Sequence, residues 1–365
     1  MKHIVCFHLF NDYSGSPKVL KMVLEGMLER GYEMDLVSSK GGVLDELLAY
    51  KHLHKHSYPY QFSSNPVVTM IRYCTVQLYT FLLAFRWLFK KDIVFYINTL
   101  LPVGPALAGR IMGKRVVYHY HENAFVKGAF YKVLAAAMQR LAHEIICVSN
   151  YQASFLQRKN GVTVVPNALP KAFTERLHPD AAAAFDRKTV LMLSSLKEYK
   201  GTREFMELAT KLPQYKFVLV INDTQENIDN YLAQYNLQYL TNGGGNLKIY
   251  DRQSDVTSFY NCASIVVCLT NPLLAVETFG LTTLEAMSTG LPVIVPTQGG
   301  IAEMVEDGRN GYKINVQQLI VIEQCIQKIL ENRMLYSRLS ENALKSSARF
   351  DNRHTLLRLI DILNL

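Results

Sequence analysis

Several patterns that mark common classes of protein are missing from this sequence. The six cysteines are scattered and none forms a C-x-x-C pair, which argues against a zinc site or a disulfide framework and favours a reducing compartment. No G-x-G-x-x-G turn follows the first apolar run, so a dinucleotide-dependent oxidoreductase is disfavoured. Residues 4–7 read as a buried strand with no export cleavage site after it, and no stretch is expected to be long and apolar enough to cross a bilayer, which takes about 20 residues. These absences predict a cytoplasmic protein.

Charge is distributed unevenly along the 365 residues. Hydrophobic residues make up 49% and charged residues 19% of the chain, a balance typical of a globular protein that is long enough for two domains. The formal net charge is +8, of which residues 1–175 contribute +9 and residues 176–365 contribute −1. A basic first half indicates an anionic neighbour, and anionic lipid, a phosphate-bearing acceptor and nucleic acid all remain open.

Apolar runs alternate with helical patterns along the whole chain, which predicts parallel α/β architecture. The first set of predicted strands lies at 3–10, 34–38, 93–97, 115–119, 144–148 and 163–165, with helices at 18–30 and 129–141 among them. The sequence Pro166-Asn167-Ala168-Leu169-Pro170 interrupts this rhythm, and we place a linker from there to about residue 188. Strands resume at 189–194, 217–221, 247–250, 265–269 and 292–296, and residues 317–365 have a helical pattern. The sequence therefore predicts two Rossmann-like domains in succession.

The segment 277–288 combines a strand-to-helix turn with two carboxylates. It follows the predicted strand 265–269, and a helix is predicted to begin near Leu281. The N–H groups at such a helix start suit a diphosphate. Glu277 precedes the helix and Glu285 lies on it, so the two side chains can serve different ends of one ligand. A second glycine-bounded turn, Gln298-Gly299-Gly300, follows the next strand.

This ordered run resembles the signature of the retaining GT-B glycosyltransferases of family 4. The family places two glutamates with seven residues between them before Gly-Leu-Pro-Val and Gly-Gly-x-x-Glu-x-Val. Here these are Glu277 and Glu285, then the segments 290–293 and 299–305. The resemblance implies the GT-B fold, with two Rossmann-like domains facing across a cleft. It implies an acceptor domain over 1–172, a nucleotide-sugar domain over 173–345 and a C-terminal helix, 346–365, that returns to the first domain.

The resemblance also implies roles for individual residues. Glu277 would contact the transferred sugar, Lys200 of the Lys200-Gly201 pair would hold the diphosphate, and His121, followed by Glu122, would lie near the reacting sugar. These three are the expected catalytic residues. The expected donor-binding residues are Gly15, Ser195, Lys197, Lys200, Arg252, Thr278, Phe279, Gly280, Leu281, Thr282 and Glu285, with Glu285 on the ribose and the backbone of 279–281 near the donor.

The match to the family has gaps at the phosphate contacts. Many members have an arginine where this chain has Ser195, and we expect Lys197 or Arg252 to replace it. The glycine-rich turn expected after strand 217–221 is Asn222-Asp223. No D-x-D metal motif occurs, so we expect neither a metal nor another cofactor, with Lys200 and the helix start stabilising the leaving diphosphate instead.

Two further stretches have competing interpretations. Residues 67–91 combine an apolar cluster with Arg72, Arg86, Lys90 and Lys91, which fits either a helix at a lipid interface, with Trp87 at the boundary, or an ordinary core helix. The alternating histidines 52, 54 and 56 suggest a metal tract, but a solvated loop is favoured because no carboxylate or cysteine cluster matches them.

The expected activity is transfer of a sugar from a UDP- or GDP-sugar to a saccharide acceptor, expected to be lipid-linked, with retention of configuration. The resemblance places it in bacterial surface polysaccharide synthesis. An anionic membrane surface on the inner face of the cell membrane is a further expected partner, and nucleic acid is not expected, because no RNP-like or helix-turn-helix pattern occurs. The alternatives are another GT-B enzyme, such as a nucleotide-sugar epimerase or a phosphorylase, and a non-catalytic protein that binds anionic lipid or nucleic acid.

Overall fold

The computed structural model describes residues 3–125, 128–240 and 245–365, and these form two compact units. The first unit comprises Met1–Ala168 together with Asn352–Leu365, and the second comprises Leu169–Asp351. Each unit is a parallel sheet with helices on both sides, so the predicted fold class of two Rossmann-like domains is confirmed.

The first unit is built on a seven-stranded parallel sheet in the order β3-β2-β1-β4-β5-β6-β7. Its interior strands are almost wholly buried, as expected when helices cover both faces of a parallel sheet. The strands are β1 (His3–Phe7), β2 (Met34–Ser39), β3 (Leu53–Tyr58), β4 (Ile93–Asn98), β5 (Arg115–Tyr120), β6 (Glu144–Cys147) and β7 (Val162–Val164).

Helices of the first unit fall on opposite faces of this sheet. They are α1 (Gly15–Leu28), α2 (Pro66–Ala84), α3 (Val103–Ile111), α4 (Ala129–Leu141) and α5 (Asn150–Ser154), with 3-10 turns at Val43–Ala49 and Phe85–Trp87. Because β-α-β crossovers are right-handed and the chain steps from β3 through β4 and β5 to β6, α2, α3 and α4 share one face. The last helix of the chain (Asn352–Leu363) packs against α1 on the other face.

The second unit has a six-stranded parallel sheet in the order β10-β9-β8-β11-β12-β13. The strands are β8 (Thr189–Ser194), β9 (Lys216–Ile221), β10 (Leu247–Tyr250), β11 (Ile265–Val267), β12 (Val293–Val295) and β13 (Gly311–Lys313). The helices are α6 (Lys171–Thr174), α7 (Ala181–Arg187), α8 (Thr202–Lys211), α9 (Gln225–Gln234), α10 (Thr257–Asn261), α11 (Leu281–Ser288), α12 (Gly300–Glu303), α13 (Leu319–Glu331) and α14 (Arg333–Ser347), and the helix at Asn352–Leu363 is α15. The 3-10 turns of this unit are Glu198–Lys200, Gln238–Leu240 and Val316–Gln318.

The histidine-rich stretch is a strand, so the prediction of a solvated loop there is wrong. Residues Leu53–Tyr58 pair with β2 along the edge of the sheet, with Leu53 and Tyr58 buried. His56 Nε2 lies 2.7 Å from Asp35 Oδ1, and His3 Nε2 and the Trp87 Nε1–H contact Asp35 Oδ2. The spacing of the histidines at every second position therefore matches the two-residue period of a strand.

Three further features differ from what the sequence suggested. The segment Pro66–Trp87 is long and apolar enough to cross a membrane by length and composition, with a mean hydropathy of 1.4, contrary to the expectation that no such stretch exists. Trp87 is buried and donates to Asp35, so it does not lie at a lipid boundary as proposed. The linker after residue 170 also contains the two short helices α6 and α7.

Candidate functional site

The second unit places its predicted site residues where the order of strands reverses. From β8 the chain moves to β9 on one side, whereas β11 pairs with β8 on the other side. Lys200 follows β8 and Glu277 follows β11, so both residues lie beyond the carboxyl ends of neighbouring strands. Open parallel sheets bind ligands at this position.

Glu277 and Lys200 form a direct ion pair. The Lys200 ammonium donates to Glu277 Oε1, and the Thr270 hydroxyl donates to the same oxygen at 3.2 Å. Burial alone would raise the pKa of Glu277, but Lys200 beside it holds that pKa below its usual value. Burial likewise tends to lower the pKa of Lys200. The Glu277 carboxylate has the larger opposing effect, so the pKa of the lysine is raised. Both groups are therefore charged at neutral pH.

Two glycines allow the backbone to turn tightly around this pair. Gly280 caps the start of α11 at a φ of 91°, and a Cβ there would lie 2.7 Å from Ile301 Cγ1. Gly299 has a φ of 105°, and a Cβ there would lie 2.5 Å from the carbonyl oxygen of Glu277. That same oxygen accepts a hydrogen bond from Gly300 N at 2.9 Å, which ties the two turns together. The start of α11 thus presents N–H groups beside a fixed carboxylate, an arrangement suited to an anion next to a hydroxylated ligand.

Glu285 lies on α11 and is oriented by a tyrosine. The Tyr260 hydroxyl donates to Glu285 Oε2 at 2.5 Å. Tyr260 itself is fully buried, and burial together with the neighbouring carboxylate raises its pKa far above the ordinary value. The tyrosine therefore remains a hydrogen-bond donor and fixes the position of the carboxylate.

The remaining predicted donor-binding residues of the second unit differ in how far they are exposed. Phe279 is buried and its ring centroid lies 5.7 Å from that of Phe350, so only its backbone is available to a ligand. Arg252 is exposed at the end of β10, where its Nε donates to Asn222 at 2.9 Å. At the start of α11, Thr278, Leu281 and Thr282 are partly exposed. After β8, Ser195 is partly exposed and Lys197 is exposed.

In the first unit, His121 belongs to a hydrogen-bonded group at the carboxyl ends of three strands. Asn98 ends β4, and its side chain lies 3.0 Å from His121 Nε2, after β5, and 3.1 Å from His8 Nδ1, after β1. The ring of His119 packs against that of His121 with centroids 4.2 Å apart, and His119 Nδ1 lies 2.6 Å from the Tyr96 hydroxyl. The strand order also reverses at β1 and β4, so this group occupies the position in the first sheet that Lys200 and Glu277 occupy in the second.

Burial keeps these histidines uncharged. It lowers the pKa of His8 to about 4 and that of His119 to about 3. Burial also lowers the pKa of His121 well below its ordinary value, and the two neighbouring histidines add to the effect. His121 is therefore a neutral imidazole at physiological pH. Gly15, the remaining predicted residue of this unit, is exposed at the start of α1.

Sequence reasoning missed four residues that position the predicted ones. Asn98 contacts His121 and is itself hydrogen-bonded to His8, Thr270 contacts Glu277, and Tyr260 orients Glu285. A usable signal existed for Asn98, His8 and Thr270, because each is a polar residue at or just after the end of an apolar run. Tyr260 gives no such signal, since it lies on a short helix, α10.

Known families cover nearly all of the chain. The model of "Glycosyl transferases group 1" matches residues 173–346, and that of "Glycosyltransferase Family 4" matches residues 13–172. The chain belongs to glycosyltransferase family 4. The resemblance to family 4 inferred from the paired glutamates and the glycine-rich turns is confirmed.

Curated relatives of this family 4 chain match it over part of their length. A D-inositol 3-phosphate glycosyltransferase from Nocardioides sp. is 31% identical over 26% of this chain and 22% of its own length. The N,N'-diacetylbacillosaminyl-diphospho-undecaprenol alpha-1,3-N-acetylgalactosaminyltransferase of Campylobacter jejuni is 23% identical over 62% of this chain and 60% of its own. The chain thus spans less than two thirds of the length of these relatives.

Solved structures match the family 4 chain over its full length. Anabaena Alr3699/HepE, crystallised with UDP-glucose, superposes with a TM-score of 0.79 at 19% identity and full coverage of both chains. Sucrose-phosphate synthase from Thermosynechococcus elongatus gives a TM-score of 0.78 at 16% identity, over 100% of this chain and 98% of that one. These likenesses establish the GT-B fold.

Proposed function

We propose that this chain transfers a sugar from a UDP- or GDP-sugar to a lipid-linked saccharide acceptor, with retention of anomeric configuration. The observation that carries the proposal is the ion pair of Lys200 and Glu277 beside the start of α11, at the reversal point of the sheet. The Campylobacter relative acts, by its name, on a diphospho-undecaprenol saccharide, and HepE binds UDP-glucose. The Campylobacter name supports a lipid-linked saccharide acceptor, and the HepE complex supports a UDP-sugar donor. We propose that the reaction belongs to the synthesis of a bacterial surface polysaccharide on the inner face of the cell membrane.

The diphosphate would bind between Lys200 and the first turn of α11. As the glycosidic bond breaks, negative charge grows on the departing diphosphate, and a fixed ammonium and helix N–H groups stabilise it. Lys200 is held in place by Glu277, whose carboxylate also accepts a hydrogen bond from Thr270, so little reorganisation is needed when charge develops. This electrostatic arrangement is the basis for proposing a reaction that requires no divalent metal.

Glu277 would orient the sugar and would not act as a general base. Its pKa lies below the usual value, so the carboxylate is a weak proton acceptor that binds hydroxyl groups. In the proposed front-face route, the bond from the anomeric carbon to the diphosphate oxygen breaks while the acceptor oxygen bonds to the same face. The acceptor proton passes to the departing phosphate oxygen. Glu285, oriented by Tyr260, would bind the ribose hydroxyls.

Glu277→Gln tests this assignment because it keeps the side-chain shape and removes the charge. We expect release of UDP or GDP from the corresponding donor sugar, assayed with a membrane lipid extract as the acceptor, to fall about 100-fold, the usual effect of losing one fixed electrostatic contact. The matched control is Glu306→Gln, at an exposed ion pair with Arg309, which should leave turnover unchanged. Unchanged turnover in Glu277→Gln would refute the role, and formation of an epimerised donor without transfer would favour an epimerase.

A further inference from the structure

We infer that the outer surface of α2, α3 and α4 docks on a bilayer that carries anionic lipid headgroups. This inference deepens the proposed function, because it names the surface through which an enzyme with a lipid-linked acceptor would meet the membrane. The three helices lie side by side on one face of the first sheet, with α2 packed against α3 and α3 against α4. We call their solvent-facing surface, together with the turn at residues 85–91 that follows α2, the docking face.

The outward side of α2 is apolar along its whole length. Val67, Ile71, Leu78 and Leu82 follow one another at helical spacing on a single stripe and are each 60–64% exposed. A water-facing helix surface would have polar residues at these positions. The opposite stripe of the helix packs into the unit through Tyr73, Val76, Thr80 and Ala84, which are buried. The helix therefore has apolar residues on two sides, of which the fold covers one.

The neighbouring helices extend the same surface. The exposed apolar residues of α3 are Leu107 and Ile111, and those of α4 are Phe130 and Val133. Phe130 also contacts Tyr73 with ring centroids 5.5 Å apart, which joins α4 to α2. More than half of the exposed large hydrophobic side chains in the described part of the chain lie between residues 67 and 133. Such a concentration marks an interaction surface, since soluble monomers rarely expose large contiguous apolar patches.

Charge on this surface has one sign. Asp92 is the only acidic residue between positions 59 and 121, and residues 128–141 contain none. The same helices and the turn after α2 have exposed basic residues in Arg72, Arg86, Lys90, Lys91, Lys132 and Arg140. Apolar residues surrounded by lysine and arginine bind the boundary between acyl chains and anionic headgroups. A second copy of this chain would bring like charges together across a two-fold interface, which disfavours self-association.

Hydrogen bonds hold α2 on the surface of the unit, so it would lie in the bilayer interface and would not span the membrane. The Tyr73 hydroxyl donates to the carbonyl of Leu101 at 2.9 Å, and Gly104 N donates to Gln77 Oε1 at 2.9 Å. A Cβ at Gly104 would lie 2.2 Å from the carbonyl oxygen of Gln77, which shows how closely the two helices approach. The segment that passes the hydropathy criterion for a span is thus an integral part of the first unit.

Co-sedimentation with vesicles tests the inference. We expect the wild-type chain to bind vesicles of phosphatidylcholine with phosphatidylglycerol, to bind phosphatidylcholine alone weakly, and to lose binding as salt is raised. Ile71→Glu/Leu78→Glu should lower the partition coefficient about tenfold or more. The matched control is Ile320→Glu/Met334→Glu, which adds the same charge at exposed apolar sites of the other unit and should bind as the wild type does. Circular dichroism and urea unfolding of each variant check the fold.

Absence of wild-type binding to the anionic vesicles at low salt would overturn the inference, as would equal binding by Ile71→Glu/Leu78→Glu. Light scattering tests whether a second copy of the chain binds the docking face instead. A wild-type dimer that does not bind vesicles, and that becomes monomeric in Ile71→Glu/Leu78→Glu, would assign the surface to self-association. The vesicle assay contains neither donor nor acceptor. A negative result in the vesicle assay would therefore not affect the proposal of sugar transfer. Likewise, absence of sugar transfer would not change the interpretation of vesicle binding.

Discussion

At the scale of single residues, the site residues of the two units differ in their charge state. The second unit keeps Lys200 and Glu277 charged by pairing them, whereas the first unit keeps His8, His119 and His121 neutral by burying them. A neutral His121 can exchange a hydrogen bond with a sugar hydroxyl without adding positive charge near a developing oxocarbenium ion. Its expected role in the reaction stays a prediction.

Buried neutral histidines make the stability of the first unit depend on pH. Unfolding exposes His8 and His119, whose pKa returns to about 6.5 from about 4 and about 3 in the folded state. Below pH 6.5 the unfolded chain therefore binds more protons, and the free energy of unfolding should fall as the pH drops from 7 to 4.5. Urea unfolding at several pH values measures this. His119→Phe should show a shallower dependence, and a wild-type free energy that stays constant over this range would contradict the pKa assignments.

At the scale of elements, the residues that end strands and begin helices account for both the success and the limits of sequence prediction. The helix start at Leu281 and its two flanking glutamates could be predicted because glycine, a helix pattern and a preceding apolar run coincide in one short segment. The edge strand Leu53–Tyr58 was missed because its alternating histidines and lysine look like a polar loop. Strand Gly311–Lys313 was missed because its residues, Gly-Tyr-Lys, form no apolar run, unlike the equally short strand Val162–Val164.

The left-handed backbone at Gly280 should make the start of α11 sensitive to a single methyl group. Gly280→Ala adds a Cβ 2.7 Å from Ile301 Cγ1 at a φ of 91°, so both strain and a steric clash result. We expect a loss of about 2 kcal/mol or more in the free energy of unfolding, together with weaker nucleotide binding. Gly308→Ala is the matched control, because its φ is 72° but the nearest atom is 4.0 Å away.

Strain alone should lower the stability of Gly308→Ala by about 1 kcal/mol and leave nucleotide binding unchanged. Urea unfolding and calorimetric titration with UDP and GDP measure both quantities. Equal effects of the two substitutions on binding would show that the turn at Gly280 has no special relation to the ligand.

At the scale of the whole molecule, the family and the two Rossmann-like units could be predicted from the order of motifs along the chain. Which residues at the strand ends contact one another could not be predicted, because the order of strands in the sheet decides it. Asn98 and His8 are 90 positions apart in sequence and meet because β1 and β4 are neighbours. The exposed apolar side of α2 could also not be predicted from the sequence, because an apolar helix pattern does not show which sides of the helix are buried in the fold.

Lys200 and the start of α11 are proposed to bind a nucleoside diphosphate without a divalent ion, and calorimetric titration with UDP and GDP in EDTA tests this binding. We predict that at least one of the two binds the wild-type chain in EDTA, with an affinity unchanged by added Mg²⁺. Lys200→Met should weaken that binding about tenfold or more, the usual effect of losing one charge-assisted contact. Binding that appears only with a divalent ion, or an affinity that Lys200→Met leaves unaltered, would show that the diphosphate is not bound in this way.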